Sequence, residues 1–114
     1  NMLSIDELQQ LAVTALEELK GSEITVMDVS EMTDVTSRMV IASGTSSRHV
    51  RSLAENVVLE AKRANNPPLG HEGEESGDWV LVDLGEIVVH VMMPETRDYY
   101  NLEKFWEEFQ REEF

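Results

Sequence analysis

Among the residues of this 114-residue chain that could do chemistry, Gly44-Thr45-Ser46-Ser47 comes first. A glycine and three hydroxyl residues between a strand and a helix can offer backbone N–H groups and a helix dipole to an anion. A full phosphate loop needs G-x-x-x-x-G-K-[ST], however, and neither the second glycine nor the lysine follows. The stretch therefore reads first as a Thr or Ser helix cap. His71, Glu72, Glu74, Glu75 and Asp78 carry metal-binding groups, but their irregular spacing in a glycine-rich run describes a solvated acidic loop. His49 and His90 have no serine or cysteine nucleophile in a recognisable setting, and each is expected as a partly buried, hydrogen-bonded side chain. Cysteine is absent, which excludes disulfides, thiolate zinc sites and cysteine nucleophiles.

The Gly44-Thr45 turn also resembles the glycine-serine start of nucleotidyltransferase sites. Those sites set two carboxylates, one residue apart, on a following strand to hold two metal ions. Asp83 stands alone on its strand, with Leu81, Val82 and Leu84 around it. A metal-dependent nucleotidyltransferase using Gly44, Thr45 and Asp83 is therefore only the alternative reading.

The elements that must position these residues follow from periodicity. Leu8, Leu11, Ala12, Ala15, Leu16 and Leu19 predict a helix over 4–20, with Ser4 and Glu7 as its capping box and Gly21 as its stop. Ile24 to Val29 and Met39 to Ser43 are short β-branched runs and read as strands. A second helix presents Val50, Leu53, Ala54, Val57, Val58 and Ala61, and ends at Asn65-Asn66-Pro67-Pro68. Residues 70–78 are expected as a loop. Trp79 to Leu84 and Glu86 to Met92 predict a tight hairpin around Gly85. Pro94 ends the second strand, a turn or short helical piece follows, and Leu102, Phe105, Trp106 and Phe109 mark a last amphipathic helix. The order αββαββα predicts one α/β (α+β) domain over 2–114, a mixed sheet with packed helices; Asn1, ahead of the first methionine, is set aside.

Alternation makes both faces of both hairpin strands apolar: Trp79 and Leu81 against Val80 and Val82, then Ile87, Val89 and Val91 against Val88, His90 and Met92. Either helices lie on both sides of the sheet, or one face is left as a patch for a protein partner, centred on Trp79. Tyr99 and Tyr100 add aromatic groups of the kind that anchor interfaces, while Trp106 reads as core. Charge favours a basic partner. The net charge is −14, and residues 65–114 alone hold 13 acids against 3 bases. Such a surface repels phosphate backbones, so little direct nucleic-acid binding is expected. No run approaches the ~20 apolar residues of a membrane span. Nor is there a secretory signal pattern, so a cytoplasmic location is expected.

Three blocks in order, IASGTSSRHVRSLAENV (41–57), GDWVLVDLGEIVVHVM (77–92) and ETRDYYNLEKFWEE (95–108), resemble the ribosomal silencing factor family, also called Iojap-related. The resemblance implies a nucleotidyltransferase-like fold without the catalytic carboxylate pair, hence no enzyme activity and no cofactor or metal. It also implies a basic large-subunit ribosomal protein as partner, bound where the two subunits meet. Occupying that face would block subunit joining and lower translation under nutrient limitation; organellar relatives imply a role in ribosome assembly as a further alternative. The expected partner-binding residues are Trp79, Leu81, Asp83, His90, Met92, Arg97, Tyr99 and Tyr100. A weak homodimer through the same surface is expected to compete with ribosome binding. One departure stands out: many members read Asp-Tyr-Phe where this chain has Ser37-Arg38-Met39.

Overall fold

The computed structural model describes residues 3–30 and 36–104. Helix α1 (Ile5–Glu18) starts at the expected capping box: the Ser4 N–H donates to Glu7 Oε1 at 3.0 Å and the Glu7 N–H to Ser4 Oγ at 3.2 Å. Its stop differs in detail from expectation. Lys20, rather than Gly21, takes the left-handed conformation (φ 63°), and the Gly21 N–H returns to the Leu16 carbonyl at 2.8 Å. Strands β1 (Ser22–Asp28) and β2 (Arg38–Ser43) follow, then helix α2 (Ser47–Arg63) with Ser46 as its cap.

Residues 70–78 are not wholly a loop. Gly70–Glu72 form strand β3, antiparallel to β4 (Trp79–Asp83), so the order is αββαβββα. Three residues without apolar alternation carry no strand signal of their own. They pair because the outer edge of β4 would otherwise present unpaired N–H and C=O groups. Strand β5 (Ile87–Met92) completes the hairpin, with Gly85 at φ 91° in the first place of its two-residue loop. Pro94 opens a helix as well as closing a strand: α3 (Pro94–Tyr100) carries Tyr99 and Tyr100. Residues 102–104 begin a further helical turn. Phe105, Trp106 and Phe109, expected on the last helix, lie outside the described residues.

The five strands form one mixed sheet in the order β1-β2-β5-β4-β3, with β2 and β5 parallel and every other pair antiparallel. Both long helices pack on one side. Leu8, Ala12, Ala15 and Leu16 of α1 and Val50, Leu53, Val57 and Ala61 of α2 bury against Val40, Val80, Val82, Val89 and Val91. Each fully buried Val or Leu contributes on the order of 1.5–3 kcal/mol, so this layer dominates the stability. Among the described residues the opposite face carries a smaller cluster, Val29, Met39, Ile41 and Met92, with Met27, Trp79 and Leu102 against it.

Gly44 joins β2 to α2 where the two are nearly in contact. A Cβ there would lie 2.8 Å from Val50 Cγ2 and 2.9 Å from the Val50 nitrogen, whereas one at Gly70 would meet nothing within 4 Å. Gly44→Ala should therefore cost about 1–3 kcal/mol in denaturant unfolding. Gly70→Ala should stay within about 0.5 kcal/mol of the parent. Equal values for the two variants would contradict the close approach.

Candidate functional site

The register of the sheet gathers five of the expected residues on the face away from α1 and α2. Trp79 pairs with Met92, Leu81 with His90, and Asp83 with Val88, so Trp79, Leu81 and Asp83 run along β4 beside His90 and Met92 of β5. Helix α3 leaves the end of β5 and brings Tyr100 back onto Trp79, ring centroids 4.9 Å apart at 51°. Tyr99 meets Tyr100 edge-on at 5.0 Å. Tyr99 is 82% exposed and Tyr100 54%, while Trp79 and Leu81 are half-buried. The result is an accessible aromatic group on the sheet face opposite α1 and α2.

Not every expected contact residue is accessible. Met92 is fully buried and His90 is 5% exposed, so both form the floor beneath Trp79. Trp79 Nε1 donates to His90 Nδ1 at 2.9 Å, which fixes the indole in plane and direction. Nδ1 is then the acceptor and Nε2 carries the proton of a neutral ring. Burial pushes the His90 pKa down to about 4. Arg97 was expected at the surface beside Tyr99, but it is 7% exposed and turned inward. It donates from Nε to Glu103 Oε1 at 2.7 Å, from Nη1 to Ser43 Oγ at 2.9 Å and from Nη2 to Thr25 Oγ1 at 3.1 Å. Sequence reasoning missed Thr25, Ser43 and Glu103 as its partners. The only hint was that Ser43 interrupts an otherwise apolar face of β2 after Met39 and Ile41.

Asp83 is half-buried and its Oδ1 accepts from the Gly85 N–H at 2.8 Å, so it also shapes the hairpin turn. Gly44 follows the end of β2 that pairs with Met92, whereas Asp83 aligns through Val88 with Met39 near the start of β2. The two parts of the alternative transferase reading thus stand at opposite ends of the sheet. Two N–H groups near the α2 terminus already have partners: the Thr45 N–H donates to His49 Nδ1 at 2.9 Å and the His49 N–H to Ser46 Oγ at 3.1 Å. His49 Nε2 in turn reaches the Leu19 carbonyl at 2.7 Å, tying α2 to the end of α1. In the acidic loop His71 pairs with Glu74, and Arg51 holds the Glu74 and Glu75 carbonyls. Among the described residues no helix is long and apolar enough to cross a membrane.

A protein-family model described as "Ribosomal silencing factor during starvation" matches residues 3–114. The chain is 47% identical over 104 residues to a ribosomal silencing factor of Chromobacterium violaceum, covering 91% of this chain and 85% of that one. A ribosomal silencing factor of Haemophilus influenzae is 40% identical over 99 residues, 87% of this chain and 97% of the relative. A mouse protein named for mitochondrial assembly of the ribosomal large subunit is 36% identical over 99 residues, covering 84% of this chain and 43% of its own length. Among solved structures, a Chromobacterium violaceum protein superposes with a TM-score of 0.91 at 47% identity, covering 92% of this chain and 88% of the other.

The buried, neutral His90 makes acid stability a test of this geometry. Its pKa is about 4 in the fold against an ordinary 6.5, so between those values the unfolded chain binds the extra proton. Stability from this group is complete above about pH 6.5 and is lost as the pH falls toward 4, by a total on the order of 3 kcal/mol. His90→Asn keeps an acceptor near the Nδ1 position without the titration. Its unfolding free energy should therefore depend less steeply on pH across that window. Identical pH slopes for the two proteins would contradict the neutral, buried ring.

Proposed function

The chain belongs to the ribosomal silencing factor family, and from that premise we propose that it is a non-catalytic translation repressor acting on the large ribosomal subunit. It binds a basic large-subunit ribosomal protein at the subunit interface and sterically blocks joining of the subunits when nutrients are limiting. The observation that carries this reading is the aromatic group of Trp79, Tyr99 and Tyr100 on the sheet face opposite α1 and α2. Large aromatic side chains of this kind dominate binding energy at interface centres. Leu81 and Asp83 extend the contact along β4, while His90, Met92 and Arg97 support it from beneath. The acidic surrounding, Glu72, Asp83, Glu95 and Asp98, attracts a basic partner and disfavours direct contact with RNA phosphates. The site of action is the cytoplasm.

A second reading, a factor for ribosome assembly on the same subunit, draws on the name of the mouse relative. Adding the protein to purified mature subunits separates the two, because a joining block needs no precursor particle. Assembled ribosomes should decline as the protein is titrated in. Unchanged joining would remove the proposed mechanism.

Trp79→Ala should weaken large-subunit binding by at least ~30-fold, the equivalent of ~2 kcal/mol for an interface anchor. Its melting temperature should fall only modestly, since Trp79 is half-buried. Tyr99→Ala should bind less weakly than that variant and melt like the parent, because Tyr99 is 82% exposed. Normal binding by both variants would remove this face from the interface.

The same face also supports a weak homodimer, since an apolar patch that binds a partner can bind its own copy about a two-fold axis. Light scattering over a concentration series should show mass rising toward two chains, and less so for Trp79→Ala. A constant monomer mass would contradict the self-contact.

A further inference from the structure

Helix α3 carries Tyr99 and Tyr100, the exposed aromatic side chains among the described residues, yet its own apolar side chains are not buried. Of its seven residues, Pro94 to Tyr100, the one buried side chain is Arg97. Its start is fixed through the backbone, where the Met93 N–H donates to the Asp78 carbonyl at 2.9 Å. Its far end is held by the guanidinium fork, which joins Thr25 of β1, Ser43 of β2 and Glu103 beyond the helix. These partners are 72, 54 and 6 residues away in the chain. A buried guanidinium is tolerated only with its charge balanced and its N–H groups bonded, and Glu103 with the two hydroxyls meets that demand. The planar fork directs donors to separated acceptors at fixed angles, which a lysine ammonium cannot do.

We propose that Arg97 is a positioning residue for the docking face: it touches no partner, but it sets where α3 lies over the sheet and so where Tyr99 and Tyr100 stand against Trp79. This role rests on the reading of that face as the large-subunit contact. The consequence is that Thr25 and Ser43, on strands remote from the aromatic group in sequence, govern partner affinity through the Arg97 side chain.

The test is a double-mutant cycle on large-subunit affinity, measured well below each variant's melting transition. Arg97→Lys should weaken binding on the order of tenfold in the parent, and less than about twofold when added to Tyr100→Ala, because its effect passes through the displaced aromatic group. A merely structural role would give the same loss on both backgrounds, and that additivity would overturn the inference. Thr25→Val removes the Nη2 acceptor, together with the hydroxyl's own bond to the Glu23 carbonyl, and serves if Arg97→Lys does not fold; it should lose about threefold with the same non-additivity. Normal affinity in Thr25→Val and Arg97→Lys, with Trp79→Ala impaired, overturns the positioning role alone. Normal affinity in both Trp79→Ala and Tyr100→Ala overturns the docking face, and this role with it.

Discussion

Burial of the α1 and α2 stripes against the same side of the sheet is the constraint to which the remaining structure answers. The apolar faces of two helices meet Val40 of β2, Val80 and Val82 of β4, and Val89 and Val91 of β5, and together they close one layer. His49 and Asn56 tie the helices together as they do so, through the carbonyls of Leu19 and Ala15. Once both helices are committed to this side, the other side of the sheet must be completed by smaller means. A four-residue buried cluster, a seven-residue helix and one arginine do that work. Among the described residues, the aromatic side chains they leave most exposed are Tyr99 and Tyr100.

The aromatic face is ordered rather than loose. Trp79 is held by its hydrogen bond to His90, its stacking against Tyr100 and its cross-strand neighbour Met92. A side chain fixed in this way loses little rotamer freedom on binding, which is one of the larger costs of association. The buried polar groups have a related effect. His90 stays neutral because burial disfavours its charged form, and the Arg97 guanidinium is paired with Glu103 at 2.7 Å. Each therefore points a neighbouring aromatic residue in one direction.

Much of this was legible in the residues. The 3 and 4 spacing of Leu8 to Leu19 and of Val50 to Ala61 defined α1 and α2, because helix periodicity is a local property. Two β-branched runs around Gly85 defined the hairpin, while the register that sets Trp79, Leu81 and Asp83 on one face with His90 and Met92 came from the folded sheet. Strand β3 was hidden, since Gly70-His71-Glu72 has no pattern and pairs only because β4 offers an edge. The covered side of the hairpin was hidden too, because both faces are apolar and only the helices decide between them. Arg97 read as a surface residue for a physical reason: arginine is seldom buried, and its partners Thr25 and Ser43 are brought near only by the finished sheet.

The two outer strands carry a further consequence. On one side β3 is three residues long and ends in Glu72; on the other, β1 is broken by a bulge between Ser22 and Thr25, with Glu23 at φ 48°. Short, charged or kinked borders of this kind resist strand addition from a neighbouring molecule. A protein that displays tryptophan and tyrosine to solvent needs that resistance, because sticky faces joined to open edges grow into fibres. Here the lateral route to polymerisation is blunted at both margins, which leaves face-to-face contact as the way two copies would meet.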